Sequence, residues 1–296
     1  MIKSTDFTNL ENVDLSKEIS LVSPIDTPFY TLMLANNRVE NATSKIITWR
    51  EKTLDNTSDI TVAEGSETTV FQASSRAELN NVQEIFKKAV SVSGSAQASD
   101  VIGISNLFAS EVNDRLIEMK VQVEKKLLNG VKDLGSVDGI RNMGGLLSFV
   151  PSTNKVTGAT INAITEDEVK ATVRKLWEAG VATSEFFALV NADVKEMIDD
   201  LYKDKYSYIA QQSKFGLIVD TIRTNYGNVN FILDRHMPTD KIVMFDINNV
   251  AVSYLRKPFF ELLGKTGDNV KGQVITEASL KVLAPKGLAE YTLKTS

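Results

Sequence analysis

Apolar residues along this chain recur with two different periods, and the period changes from one segment to the next. In residues 104–129 they return every three or four positions, which predicts a helix roughly 37 Å long. A capping-box pattern at Thr165 and Glu168 predicts a second helix that stops at Gly180, and a third helix is predicted from Asn191. The apolar positions that define these helices are Ile104, Phe108, Val112, Leu116, Met119, Val123, Leu127, Val169, Val173, Leu176, Trp177, Val194, Met197, Ile198, Leu201 and Tyr202.

Other segments alternate apolar and polar positions, or form short apolar runs, as is typical of β-strands. Residues 45–50 and 69–72 predict a long two-stranded ribbon with a solvated tip. The all-apolar run 186–190 predicts a strand that is covered on both faces. Residues 274–282 alternate, which places Val274, Leu280 and Val282 on one face of a strand and Glu277, Ser279 and Lys281 on the other. Further strands are predicted at residues 82–92, 217–219, 229–233, 242–245 and 250–255, which together with the helices give an α+β fold.

The first 40 residues are polar with scattered apolar positions, and two prolines, Pro24 and Pro28, lie close together. Proline fixes its own φ and favours extended geometry in the residue before it, so this segment is predicted to run as an arm over something else. Two strands also bury too little surface to be stable alone. Both the arm and the ribbon are therefore expected to be held by a neighbouring element or a neighbouring subunit.

Composition and charge exclude several classes of function. The chain has no cysteine and a single histidine, His236, which removes most metal centres and most general acid–base designs. A formal charge of -5 provides no basic field for tight binding of nucleic acid. No apolar run approaches the roughly 18 residues of a membrane-spanning helix, and the N-terminus lacks a signal-peptide core. We therefore expect a protein without membrane partners that stays in the cytoplasm where it is made.

Three local patterns resemble functional motifs only superficially. The sequence Gly264-Lys265-Thr266 lacks the leading glycine of a phosphate-binding loop, so a turn between strands is favoured. His236 follows Asp234, but no serine lies in a nucleophile context, and a loop histidine is favoured. Residues 133–138 lack the alternating carboxylates of a Ca²⁺ loop. The sequence therefore predicts no catalytic residue, no cofactor and no metal.

The aromatic residues Trp49, Phe71 and Phe86 fall on the predicted ribbon and the strand that follows it. They could form a platform for a ligand or could pack against protein. Ligand pockets are normally concave, whereas grouped apolar residues on a thin element usually mark an interface. Packing against another chain is therefore the favoured interpretation.

The order of these parts resembles the tailed-bacteriophage major capsid proteins of the Hong Kong ninety-seven type. The proline-punctuated segment 23–29, the ribbon, the long helix, the compact α/β part and the returning strands carry the resemblance, which covers nearly the whole chain. Segments 246–255, 264–268 and 277–280 look like the end of that family's peripheral domain. The implied division is an N-terminal arm (1–40), an extended loop (41–80), a peripheral domain (81–149 and 236–296) with a spine helix at 104–129, and an axial domain (150–235).

The resemblance implies a major capsid protein that self-assembles into the hexamers and pentamers of an icosahedral shell. Such a shell would enclose double-stranded phage DNA without sequence-specific binding, and it would be assembled in the host bacterial cytoplasm. Because the arm motif begins within the first thirty residues, a separate scaffolding protein is expected, with a portal as a further partner. Contacts between subunits are expected at Pro24, Pro28, Phe29, Trp49, Arg50, Glu51 and Phe71.

Two other hypotheses remain open at this point. A cellular nanocompartment of the encapsulin type would use the same fold to enclose cargo enzymes instead of DNA. A soluble α+β enzyme using carboxylates and lysine would be a monomer or small oligomer. The contents and the size of purified particles distinguish the three.

Overall fold

The computed structural model describes residues 26–55, 58–69, 71, 73–98, 107–181, 185–202, 209–214 and 217–295. Within these ranges the helices are α1 (Pro28–Ala35), α2 (Gly94–Ala98), α3 (Leu107–Asn129), α4 (Leu146–Phe149), α5 (Glu166–Glu178) and α6 (Ala192–Tyr202). The strands are β1 (Val39–Asn41), β2 (Ile46–Thr53), β3 (Ser75–Val82), β4 (Glu84–Ser93), β5 (Lys155–Ile161), β6 (Glu185–Val190), β7 (Ile209–Lys214), β8 (Leu217–Thr224), β9 (Gly227–Leu233), β10 (Lys241–Phe245), β11 (Val250–Leu263), β12 (Asn269–Val282) and β13 (Leu288–Lys294).

These strands form three sheets, and together with the helices they confirm the predicted α+β class. A four-stranded sheet has the order β1-β11-β12-β4, and a seven-stranded sheet has the order β5-β13-β10-β6-β9-β8-β7. The third sheet is the ribbon β2-β3. None of the helices in the described ranges is long and apolar enough to cross a membrane.

The four-stranded sheet carries the long helix α3. Met119, Val123 and Leu127 of α3 are buried in one core with Val274 and Leu280 of β12, as the helical spacing predicts. The helix prediction is confirmed from Leu107 onward, and residues 104–106 lie outside the described residues. At about 1.5 Å per residue, α3 is roughly 34 Å long and runs along the sheet as a spine.

The seven-stranded sheet is covered on both faces, as predicted for β6. Phe187 and Leu189 of β6 point into the core shared with α3, while Phe186, Ala188 and Val190 point into a second core. This alternation follows from the two-residue period of a strand. Strand β6 therefore joins the two cores of the molecule.

Helices α5 and α6 close the second core. The capping box at the start of α5 is formed, with Glu168 N donating to the Thr165 hydroxyl at 3.3 Å, and Gly180 ends the helix region at φ +78°. The prediction that Trp177 is buried is wrong, because its side chain is 59% exposed. It lies at the edge of the helix face, with its ring centroid 5.8 Å from that of Tyr226.

The returning strands divide between the two large sheets. Strands β11 and β12 complete the four-stranded sheet, whereas β10 and β13 lie in the seven-stranded sheet, where β13 is inserted between β5 and β10. The alternation predicted for β12 is correct for its first face, but Ile275, Glu277 and Ser279 on the opposite face are buried too. Both faces of β12 are therefore covered in this part of the strand.

The segment predicted as an extended arm contains a helix, α1, and ends in strand β1. Helix α1 begins at Pro28, a favourable first position because proline has no N–H to leave unpaired there. Phe29, Leu32 and Met33 are fully buried in the core with α3. The extended geometry predicted for Pro28 and Phe29 is wrong, and Pro24 lies outside the described residues.

The ribbon exists, but its second strand begins later than predicted. Strands β2 and β3 pair antiparallel from Ile46 opposite Val82 to Thr53 opposite Ser75. The prediction of a strand at residues 69–72 is wrong for Thr69 and Phe71, which lie outside any strand, and residues 70 and 72 lie outside the described residues. The polar sequence of β3 gives little strand signal, and its conformation is set by pairing with β2.

Candidate assembly surfaces

The described residues contain no group of three or more His, Asp or Glu side chains that could hold a metal ion. Gly264-Lys265-Thr266 lies in the bend between β11 and β12, which confirms the predicted turn; no helix follows, as a phosphate-binding loop would require. His236 lies in a loop, as predicted. Asp234 accepts from its backbone N–H at 2.8 Å, while the ring Nε2 lies 3.2 Å from the carbonyl of Asp26.

The outer part of the ribbon is exposed and acidic. Residues 58–69 have no buried position, and both Ile60 and Val62 are exposed there. Between Leu54 and Ser74 the sequence has four acidic residues and no lysine or arginine. We refer to residues 54–74 as the ribbon tip. Its described large apolar side chains, Leu54, Ile60, Val62 and Phe71, are largely exposed.

The base of the ribbon, by contrast, is fixed to the body of the subunit. The Trp49 indole is buried, with its ring centroid 6.1 Å from that of Phe149 at the end of α4. The Asn81 amide donates to the carbonyls of Gly144 and Leu280 at 2.9 and 2.7 Å. The ribbon is therefore anchored at one end and projects from the other.

A second surface is the outer half of the β11–β12 hairpin. Strand β1 pairs with β11 only as far as Tyr254, so in the part of the chain that the structure describes the remainder of β11 pairs with β12 alone. An unpaired strand edge with apolar side chains is a ready site for another chain. Its partly or largely exposed apolar residues are Phe259, Phe260, Leu262 and Leu263.

The third surface is the loop between α3 and α4, residues 131–142. Asp133 and Asn142 exchange backbone hydrogen bonds of 2.9 and 3.0 Å, and Gly135 has φ +71°, a conformation that disfavours other residues. The Asp133 and Asp138 carboxylates accept from backbone N–H groups of the loop itself, so they are not arranged as cation ligands. This closed loop exposes four apolar side chains: Val131, Leu134, Val137 and Ile140.

The predicted contact residues fall into two groups. Pro28, Phe29 and Trp49 are buried within this chain, so their side chains already have partners there. The remaining described residues of the set are Arg50, Glu51 and Phe71.

Arg50 and Glu51 line a cleft of about 470 Å³ between the ribbon and the region where the two large sheets meet. Phe71 lies in the ribbon tip and is 87% exposed. The loop 131–142 and the outer half of β11 were not predicted as contact surfaces. The spacing of Leu134, Val137 and Ile140, three residues apart, was nevertheless a signal of an apolar surface in this loop.

Helix α1 is attached to the body through a buried carboxyl group. Glu124 of α3 is fully buried and accepts from the backbone N–H groups of Phe29 and Tyr30, each at 2.8 Å. The carboxyl of Asp234, also fully buried, is hydrogen-bonded to that of Glu124. Burial and the adjacent Asp234 carboxyl raise the pKa of Glu124 well above its usual range, and burial also raises the pKa of Asp234.

A second buried carboxylate stabilises the seven-stranded sheet. Glu290 of β13 lies between Lys241 of β10 at 2.6 Å and Lys155 of β5 at 2.9 Å. Burial alone would raise the pKa of Glu290, but the hydrogen bonds and charges of the two lysines outweigh it and hold that pKa below its usual value. The two ion pairs of Glu290 therefore connect strands β5, β10 and β13.

Solved structures with this architecture are shells. The encapsulin chain of the holo-SrpI complex of Synechococcus elongatus PCC 7942 matches with a TM-score of 0.69 at 15% identity, over 97% of this chain and 94% of that chain. The capsid chain of cyanophage A-1(L) matches with a TM-score of 0.69 at 12% identity, over 99% of both. The capsid of cyanophage P-SCSP1u matches with a TM-score of 0.65 at 12% identity, over 100% and 97%. The fold is therefore the Hong Kong ninety-seven capsid fold.

The sequence itself gives the family. The family model described as the SU10 major capsid protein matches residues 2–295, and this chain belongs to that family. The predicted identity as a phage major capsid protein, a component of the virion, is confirmed. No curated protein sequence matches the chain.

Proposed function

We propose that this major capsid protein assembles, as hexamers and pentamers, into a closed icosahedral shell that encloses double-stranded phage DNA. The observation that carries the proposal is the ribbon, whose tip has apolar side chains without cover in its own chain and whose base is fixed by Trp49. An element built in this way gains burial only when a neighbouring copy is present. Assembly and ordering of the tip would then occur together.

The proposed division of the chain follows the sheets more closely than the sequence boundaries did. We assign β10 and β13 to the axial domain with residues 150–235, because both pair within the seven-stranded sheet. The peripheral domain then consists of α3 with the four-stranded sheet, and the extended loop is the ribbon. Residues 1–40 are proposed to contribute the arm, attached to the body through α1.

The proposed contacts between copies use the ribbon tip, the edge of β11, the loop 131–142 and the cleft lined by Arg50 and Glu51. The ribbon tip, with Phe71, would lie on a neighbouring subunit, and Arg50 and Glu51 would contact a neighbour at the cleft they line. The exposed edge of β11 and the loop 131–142 would supply further apolar contact area. Apolar side chains held on preordered elements bind at a low cost in conformational entropy.

Several partners belong to the proposal as well. The formal charge of -5 is consistent with a shell that encloses DNA without binding it tightly, since tight binding to phosphates requires a basic surface. A scaffolding protein and a portal are the proposed assembly partners, and the host bacterial cytoplasm is the proposed place of assembly. No catalytic activity is part of the proposed function.

Electron microscopy of particles purified after expression tests the proposal. Closed shells of subunits in pentamers and hexamers are expected, and shells from infected cells should contain DNA. Light scattering that detects only monomers or small oligomers, at concentrations where related shells form, would overturn it. Small uniform shells filled with protein cargo would instead support the nanocompartment hypothesis.

A further inference from the structure

Two carboxyl groups meet in the interior beneath α1. Glu124 lies on α3, Asp234 follows β9, and both are fully buried. One Asp234 oxygen accepts from the backbone N–H of His236 at 2.8 Å. The other accepts from no N–H group or hydroxyl of the described ranges, and the Asp234 carboxyl pairs with that of Glu124. Two ionised carboxylates cannot form a hydrogen bond with each other, so one of them must carry a proton.

The same pair fixes the position of α1. Both oxygens of Glu124 accept from backbone N–H groups, those of Phe29 and Tyr30, at the first turn of the helix. These N–H groups lack partners inside the helix, as they do in every first turn. A buried carboxyl therefore replaces the usual capping side chain, and Thr27, the residue at the N-cap position, makes no side-chain capping bond.

The charged and titratable groups around the pair do not neutralise it. Tyr30 on α1 is hydrogen-bonded to Tyr254 on β11 and carries no charge of its own, since burial and the nearby Glu124 carboxyl raise its pKa. On α3 Lys120 and Lys125 are exposed, and Lys126 pairs with Glu84 at 3.3 Å.

After β9, Arg235 pairs with Asp26 at 3.2 Å. Burial raises the pKa of Asp234, the backbone hydrogen bond from His236 lowers it, and the negative charge of Asp26 raises it. No lysine or arginine of the described chain contributes to the pKa of either buried carboxyl. A shared proton is therefore the remaining way to relieve repulsion between them.

We propose that one proton shared by Glu124 and Asp234 acts as a latch that holds α1, and with it the attachment point of the N-terminal segment, against the body of the subunit. When the proton leaves, two negative charges face each other in the interior, and α1 is the smallest element that can move to let water reach them. Attachment of α1 is therefore pH-dependent. The latch concerns a single chain. Only its effect on contacts between the N-terminal arm and a neighbouring subunit rests on the proposed function.

The direction of the pH dependence follows from the burial. The folded pair binds its proton more tightly than the unfolded chain does, so its stabilising contribution is fully present below the ordinary carboxyl pKa of about 4. It is lost as the pH rises through the raised pKa of the folded pair. Above that pKa the population with α1 detached is expected to increase about tenfold per pH unit.

Hydrogen exchange of the full-length chain, followed by mass spectrometry of the peptide covering residues 26–35, tests the latch. After correction for intrinsic rates, protection is expected to fall as the pH rises through the raised pKa of the folded pair. Asp234→Asn should remove this dependence, because its amide can donate to Glu124 without a proton while its oxygen still accepts from His236. Unchanged pH dependence in D234N would overturn the proposal.

Asp246→Asn is the matched control. Asp246 accepts from the N–H of Asn248, two residues further on, at 2.9 Å, as Asp234 does from His236. Asp246 is not buried beside a second carboxyl. D246N should therefore retain the wild-type pH profile. If D234N does not fold, infrared spectroscopy of the wild-type chain decides: a carbonyl band of a buried protonated carboxyl at neutral pH supports the latch, and its absence refutes it.

Discussion

The indole of Trp49 and the phenyl ring of Phe149 pack with their centroids 6.1 Å apart, and this contact joins the ribbon to the helix α4. Trp49 is 8% exposed although it belongs to a two-stranded element. This contact distinguishes the base of the ribbon, which is buried against the body of the subunit, from the exposed tip. The base is stable in one chain, whereas the tip is left without cover.

Trp49→Ala should therefore lower the free energy of unfolding by about 3 kcal/mol, because a large buried ring is lost and a cavity remains. Urea unfolding of the unassembled subunit measures this change. Phe71→Ala serves as the control, since an exposed ring should change stability by no more than about 0.5 kcal/mol. Equal losses in the two variants would contradict the division of the ribbon into base and tip.

Replacing the ribbon tip by Asn-Gly should leave a folded subunit that does not assemble. Thr53 lies opposite Ser75, so a two-residue type I′ turn can close the strands at that pair. The urea midpoint should remain near the wild-type value, while shells disappear from electron micrographs. A Gly/Ser loop of the original length is the control for loop closure, and shells of normal size from either variant would refute the contact assigned to the tip.

Val137→Lys tests the loop 131–142. The Val137 side chain is 98% exposed, so the charge should leave subunit stability unchanged within about 0.5 kcal/mol. In an apolar contact between copies the buried charge is costly, and assembly should shift to at least about tenfold higher protein concentration. Val137→Thr keeps the shape and should assemble almost normally. If V137K assembles like the wild type, the loop is not a contact surface.

Glu290→Gln should make stability depend on pH in a defined direction. The lowered pKa of Glu290 means that its ionised form stabilises the fold above the ordinary pKa of about 4.3, and this contribution is lost as the pH falls through the folded-state value. The variant should be about 2 kcal/mol less stable at neutral pH, with the difference shrinking in acid.

Denaturation curves across pH measure that difference. Glu178→Gln is a suitable comparison, because its ion pairs with Arg174 and Lys175 are surface pairs worth at most about 0.5 kcal/mol. A constant difference between E290Q and the wild type from neutral to acidic pH would contradict the ionic explanation.

The sequence predicted the elements whose signals are local. Three predicted features depend only on residues close together in the sequence, and all three are present. They are the capping box at Thr165, the buried strand 186–190 and the apolar stripe of α3. Helix α1 was missed because the prolines suggested extended geometry. The spacing of Phe29, Leu32 and Met33 was nevertheless that of a helix face.

Other features could not be predicted because they depend on distant residues. Strand β3 is polar and becomes a strand through its pairing with β2. Glu124 and Asp234 are 110 positions apart, and nothing near either residue indicates that they share a site. The distribution of the returning strands between two sheets is likewise set by tertiary pairing and not by alternation along the chain.

Strand β13 occupies an inner position of the seven-stranded sheet although it follows every other strand in the sequence. Its neighbours β5 and β10 cannot be bridged until residues 288–294 have been synthesised. Products of premature termination would therefore leave β5 without its strand partner and would expose one edge of β10, which still pairs with β6 on its other side. Only chains that extend through residue 294 can therefore complete the seven-stranded sheet.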